Sequence, residues 1–278
     1  MSSRTTFNEL LESGAHFGHL KSKWNPAMAP YIYAEKNGIH IIDLNKSIVK
    51  IDEAASGLKQ IARSGRKILF VATKKQAKDI VSEKVKTVNM PYVTERWPGG
   101  MLTNFATIRK SVRRMTQIDK MFNDGTFSNI SKRERLQFSR ERAKLETQFG
   151  SVADLTRLPA ALFIVDITKE HIAIAEAKRL NIPTFAIVDT NSNPNEVDFA
   201  IPANDDASTS IAYIIELMVN AVKEGLSERK MDKENNPEEG EGKEGASDEF
   251  NEGGLEGSEE ESEEKGGPKK RRRVAAKK

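Results

Sequence analysis

With 278 residues, no cysteine and a formal net charge of +3, the chain can hold one large α/β domain with appendages, and it lacks any disulfide framework, thiolate metal site or cysteine nucleophile. No stretch reaches the roughly 18 apolar residues of a membrane helix, and Met1 to Glu12 carry two acids and no signal-peptide core, so a cytoplasmic protein away from membranes is expected. The charge is uneven: from Asp232 onward there are 15 acids and 10 bases, which leaves 34 bases and 26 acids, a net of +8, on the preceding body.

Along the chain, His16 and His19 (AHFGH) have a spacing that could ligate zinc, but no further ligands accompany them and no metal or other cofactor is expected. Lys21, Lys23 and Trp24 follow in the same loop, a basic and aromatic mixture that suits RNA. Tyr31 to Asp43 sets Asn37-Gly38 between two apolar alternations, which predicts a hairpin capping the sheet. Asn45 to Ser64 then carries Ile48, Ile51, Ala55, Leu58 and Ile61 at helical spacing.

Lys67 to Thr73, Ala161 to Asp166 and Thr184 to Asp189 are short, continuous apolar runs of the kind that form buried parallel strands. Helical stretches at Lys75 to Val88, Glu170 to Leu180 and Ala207 to Glu224 alternate with them. Tyr92 to Arg96 and Asp198 to Ile201 would bring the strands to five. The predicted fold is α/β, with a doubly wound, mainly parallel five-stranded sheet.

Arg96-Trp97-Pro98-Gly99-Gly100 has two readings. Its glycine pair could offer backbone N–H groups to a phosphate while Trp97 stacks on a base, or it is a tight turn with Trp97 in the core. Met101, Phe105, Ile108, Val112, Met115, Ile118 and Phe122 then form a narrow apolar seam, and Ser131 with Glu134 has the pattern of a capping box opening a second helix. An antiparallel helical hairpin over residues 101–149 is expected. Residues 102–148 hold 11 bases against 5 acids, and Arg109, Lys110, Arg113 and Arg114 lie off the seam. Such a face is either merely solvated or a phosphate-binding surface.

Asp166 and Asp189 end consecutive strands, where doubly wound enzymes keep functional groups. No nucleotide-binding glycine motif or catalytic pattern accompanies them, so turn-forming roles are expected and no enzymatic activity. From Asp232 on, polar and charged residues predominate, and disorder is expected. An acidic stretch to Glu264 precedes a basic tip containing Lys269, Lys270, Arg271, Arg272 and Arg273, a candidate RNA-contacting arm that also has the look of a nuclear import signal. The expected organisation is a body of residues 1–100 and 150–228, the hairpin 101–149 and a tail 229–278.

Three strings, HFGHLKSKWNPAMAPYIYAEKNGIHIIDL, RWPGGMLTNF, and LPAALFIVDITKEHIAIAEAKRLNIPTFAIVDTNSNP followed by VDFAIPANDDA, closely resemble the bacterial small-subunit ribosomal protein two family over Phe7 to Gly225. The resemblance implies a flavodoxin-like sheet with a coiled-coil insertion, a structural role bound to small-subunit ribosomal RNA, and neighbours that include ribosomal protein one. No homo-oligomer is expected. The tail departs from the family's usual short ending, so nothing carries over onto it. A metal-dependent α/β phosphohydrolase and a free RNA-binding regulator are the alternatives.

Overall fold

The computed structural model describes residues 3–124 and 131–235. Of the expected tail, residues 229–235 are described and continue the last helix, while the rest, its basic tip from Lys269 to Arg273 included, lies outside the described residues.

Chain order gives α1 (Phe7–Glu12), β1 (Phe17–Leu20), β2 (Ile32–Lys36), β3 (Ile39–Ile42), α2 (Leu44–Arg63), β4 (Ile68–Val71), α3 (Lys75–Lys86) and β5 (Tyr92–Val93). There follow α4 (Phe105–Asn123), α5 (Lys132–Phe149), β6 (Ala161–Val165), α6 (His171–Arg179), β7 (Thr184–Val188), β8 (Phe199–Pro202) and α7 (Ser208–Asn235). All five predicted parallel strands are present, in the order β5-β4-β6-β7-β8 with every neighbouring pair parallel. Numbered within the sheet this is 2-1-3-4-5, the doubly wound order of flavodoxin-like folds, and the strand order reverses between β4 and β6.

Why these runs make a central sheet follows from their two faces. Ile68, Phe70, Phe163, Phe185 and Ile187 point into one core with α2, α3 and α7, while Leu69, Val71, Leu162, Ile164, Ala186 and Val188 point into a second. That second core takes Ala173, Ile174 and Ala177 of α6 and Ile108 and Val112 of α4. A strand covered on both faces takes a polar residue only where it is bonded, as Thr184 is to Asp198, hence the nearly unbroken apolar runs.

The N-terminal hairpin is larger than its sequence suggests. Asn37 (φ 54°) and Gly38 (φ 75°) make the expected tight turn between β2 and β3. β1 adds a third strand, pairing Phe17 with Ile41 and Leu20 with Ile39. Gly18 and His19 interrupt its apolar pattern, which hides it from a periodicity reading.

Ser131 and Glu134 form the predicted capping box at the start of α5: the Glu134 N–H donates to Ser131 Oγ at 3.4 Å and the Ser131 N–H to Glu134 Oε2 at 3.3 Å. α4 starts later than its seam, at Phe105, because Met101 and Leu102 are spent in a buried turn. α7 runs eleven residues past the predicted end at Glu224. Its acids explain the extension: Arg4 bonds Glu224 at 2.7 Å, Lys59 bonds Glu228 at 2.7 Å and Arg63 bonds Asp232 at 2.9 Å. Asp232, expected to open the tail, is therefore part of the body. α2 and α7 approach so closely at Gly225 that a Cβ there would stand 2.3 Å from the Lys59 carbonyl oxygen.

Candidate nucleic-acid interface

The crevice beyond the carboxyl ends of β4 and β6 is where a doubly wound fold offers a ligand site. Here side chains fill it. The Lys74 ammonium, 5 % exposed, reaches Asp205 at 2.8 Å, Asp206 at 2.5 Å and Asp166 at 3.7 Å. Burial alone would push this lysine's pKa down, but the bonds to Asp205 and Asp206 outweigh it and hold the pKa above the ordinary value. His19 joins the same cluster, Nδ1 at 3.0 Å from Asp189 and Nε2 at 3.3 Å from Asp206. Its bond to Asp189 raises its pKa against the effect of burial. Donor atoms of His19, Asp205 and Asp206 lie within 4.8 Å of one another, a separation that suits a metal ion, and the cation lying among these carboxylates is Lys74.

The strand-terminal acids serve turns as well. Asp166, in the left-handed region at φ 69°, accepts from the Thr168 N–H at 3.0 Å and from the Thr168 hydroxyl. Asp189 accepts from the Thr190 N–H and hydroxyl. No local spacing ties these acids to Lys74 or His19. Lys74 follows β4 and His19 sits in β1, so only the fold brings them together.

The Arg96-to-Gly100 segment resolves into the tight turn. Trp97 is 6 % exposed and its indole N–H donates to Glu176 of α6 at 3.1 Å. The N–H groups of Gly100, Leu102 and Thr103 reach the same carboxylate at 2.8, 2.9 and 3.0 Å, and the Thr103 hydroxyl at 3.1 Å. Of the glycine pair, the Gly100 N–H is already bonded to an internal anion, and the ring that would have stacked on a base is in the core. Burial pushes Glu176 up, and the donors from Thr103, Leu102, Trp97 and Gly100 bring its pKa below the ordinary value. A clue was present: Glu176 interrupts the apolar stripe of Ala173, Ile174 and Ala177, and a charge there calls for partners. Arg96 and Gly99 are exposed beside this turn.

On α4 the four predicted cations divide. Arg109 donates to the Leu155 carbonyl at 3.2 Å and Arg114 pairs with Glu141 of α5 at 3.2 Å. Lys110 and Arg113 are exposed and make no ion pair among the described residues. A second link between the helices joins Arg142 to Asp119 at 2.5 Å. In the N-terminal loop, Lys21 pairs with Glu35 at 2.7 Å, Lys23 is exposed, and half-buried Trp24 packs on His40 with ring centres 5.1 Å apart. That loop is tied to the carboxyl end of β7 by the Asn25 N–H, 2.8 Å from the Thr190 carbonyl. It and the Arg96 turn after β5 thus lie along the carboxyl edge of the parallel sheet.

An α/β body whose crevice holds its own ion cluster, with two exposed cations on α4 that make no ion pair among the described residues, fits a scaffold better than a catalyst. The model of the family described as ribosomal protein S2 matches residues 10–225. The chain belongs to the ribosomal protein S2 family. It is 68 % identical over 231 residues to the small ribosomal subunit protein uS2 of Phocaeicola vulgatus, covering 83 % of each chain. The uS2 of Bacteroides thetaiotaomicron is 67 % identical over 231 residues, with 83 % of each chain covered. That of Porphyromonas gingivalis is 64 % identical over the same length, covering 83 % of this chain and 82 % of its own. The S2 family is structural and non-enzymatic, so the phosphohydrolase alternative is set aside. Among the described residues no helix is long and apolar enough to cross a membrane.

Proposed function

We infer that the protein is a structural constituent of the small ribosomal subunit, acting in the cytoplasm, and that it binds small-subunit ribosomal RNA. Membership of the S2 family, with relatives named small ribosomal subunit protein uS2 at 64 to 68 % identity, carries this reading. Lys110 and Arg113 on α4 are the strongest phosphate contacts, since they are exposed cations on a helix whose only acid, Asp119, is taken by Arg142. Lys23, Arg96 and the exposed edge of Trp24 add contacts along the carboxyl edge of the sheet. Lys21, Arg109 and Arg114, each already bonded within the protein, orient their surroundings and contribute charge. Trp97, Gly99 and Gly100 act indirectly, by fixing where α4 begins.

In this reading α4 and α5 are the arms of an antiparallel coiled coil inserted into a flavodoxin-like body, and neighbouring proteins, ribosomal protein one included, complete the protein's surroundings on the subunit. Sucrose-gradient sedimentation of a bacterial lysate tests it. The protein is expected to travel with small ribosomal particles at low and moderate salt. A pool found only at the top of the gradient would overturn the reading.

A further inference from the structure

The second half of α7 carries two stripes of opposite charge. Glu224, Glu228 and Asp232 stand four residues apart, on one face of the helix, and are bonded by Arg4, Lys59 and Arg63. Lys223, Arg229 and Lys230 form no ion pair among the described residues. They line a groove of about 610 Å3, together with Lys67 at the start of β4 and the apolar Val88 and Leu226. Among the described residues no acidic side chain lines it.

Two of the four cations are held in place. Lys67 donates to the Asn89 carbonyl at 2.6 Å. Arg229 lies over Gly65, its Cζ 2.1 Å from where a Cβ on that residue would stand. Lys223 and Lys230 are exposed. Four like charges in one groove repel one another in the free protein, and a polyanion relieves that repulsion while releasing its own counterions.

We propose that this groove, between the end of α3, the start of β4 and the second half of α7, is a second RNA-binding site that takes the sugar-phosphate backbone. The proposal rests on the ribosomal reading above and adds a surface to it. The groove lies at the amino edge of the parallel sheet, whereas the Trp24 loop and the Arg96 turn lie at the carboxyl edge, so the two sets engage different stretches of RNA. Among the described residues no aromatic side chain lines the groove, so it holds phosphates without reading bases.

The test uses the full chain carrying Lys223→Glu and Lys230→Glu, both at exposed positions, with thermal unfolding to verify the fold. Binding to ribosomal RNA extracted from purified small ribosomal particles is followed across a salt series. A Lys36→Glu, Lys178→Glu variant applies the same charge change elsewhere, and a Lys110→Glu, Arg113→Glu variant probes the hairpin. The groove variant is expected to lower the slope of log affinity against log salt by about 0.7 to 0.9 for each phosphate no longer neutralised, with the wild-type slope kept in the Lys36, Lys178 variant. A wild-type slope in the groove variant together with a reduced slope in the hairpin variant overturns the groove and leaves the ribosomal reading standing. Wild-type slopes in both, with no sedimentation on small particles, overturn both. Unchanged RNA binding with lost binding of polyglutamate assigns the groove to an acidic protein segment and overturns the proposal.

Discussion

The indole N–H of Trp97 and the backbone N–H of Thr103 meet on one carboxylate, that of Glu176, at 3.1 and 3.0 Å. Replacing Glu176 by Gln keeps the shape but turns an NH2 group toward these donors, and hydrogen bonds to a charged group contribute roughly 1.5 to 3 kcal/mol. Urea unfolding of Glu176→Gln, read by Trp97 fluorescence in a Trp24→Phe background, should show a loss of about 2 to 3 kcal/mol. Because the folded-state pKa of Glu176 lies below 4.5, its contribution is present above that value and fades as pH falls through the depressed one. The Gln variant should lack this acid-side decline; a decline equal to that of the wild type would refute the assignment.

Lys74→Met should destabilise the protein more at pH 8 than at pH 5. Burial, then the charges of Asp189 and Asp166, push Asp205 up to about 7 despite its bond to Lys74. With an ordinary value of 3.8 in the unfolded chain, stability linked to Asp205 is complete below 3.8 and declines as pH rises toward about 7. Removing the ammonium leaves the carboxylates to repel one another once ionised, at a cost of roughly 3 to 5 kcal/mol. Equal losses at the two pH values, by urea unfolding, would show that Lys74 contributes through packing alone.

The cations of α4 should separate by role. Lys110→Glu with Arg113→Glu should leave the melting temperature within a few degrees of wild type while reducing incorporation into small particles. Arg109→Glu should instead lower stability by about 1 to 3 kcal/mol, since it abandons the Leu155 carbonyl in a partly buried position. If both variants affect only incorporation, Arg109 is a contact residue like its neighbours.

Gly225→Ala reverses a familiar sign. In an open helix this change stabilises by up to about 1 kcal/mol. Here the added methyl meets the Lys59 carbonyl at 2.3 Å and the Ala62 side chain at 3.0 Å, so α2 and α7 must part and a loss of about 1 to 3 kcal/mol is expected. Differential scanning calorimetry decides; a raised melting temperature would mean that the helices yield freely.

The sheet was legible because both of its faces are buried, which leaves continuous apolar runs such as Leu162 to Val165 that no exposed segment would carry. The capping box at Ser131 was legible because its two partners are three residues apart. What escaped depends on long-range meetings. Lys74 and Asp205 lie 131 residues apart and Trp97 and Glu176 lie 79 apart, so neither side chain reveals its partner locally. The basic face of α4 was visible as composition, whereas the pairing of Arg114 with Glu141 needed the second helix in place. α7 was cut short because its apolar stripe ends near Glu224 and Asp232 read as the start of an acidic tail until Arg63 stood opposite it.

The five donors gathered by Glu176 also make the start of α4 a hinge that does not turn. α4 has 19 residues, so at 1.5 Å per residue it is a lever about 28 Å long, and each degree of play at its base would swing its far end by about 0.5 Å. If the rod docks on RNA as proposed, it can tolerate little of that sway. The stiffness comes from α6, on the far side of the turn, so a mutation that touches neither RNA nor the hairpin can still misaim Lys110 and Arg113.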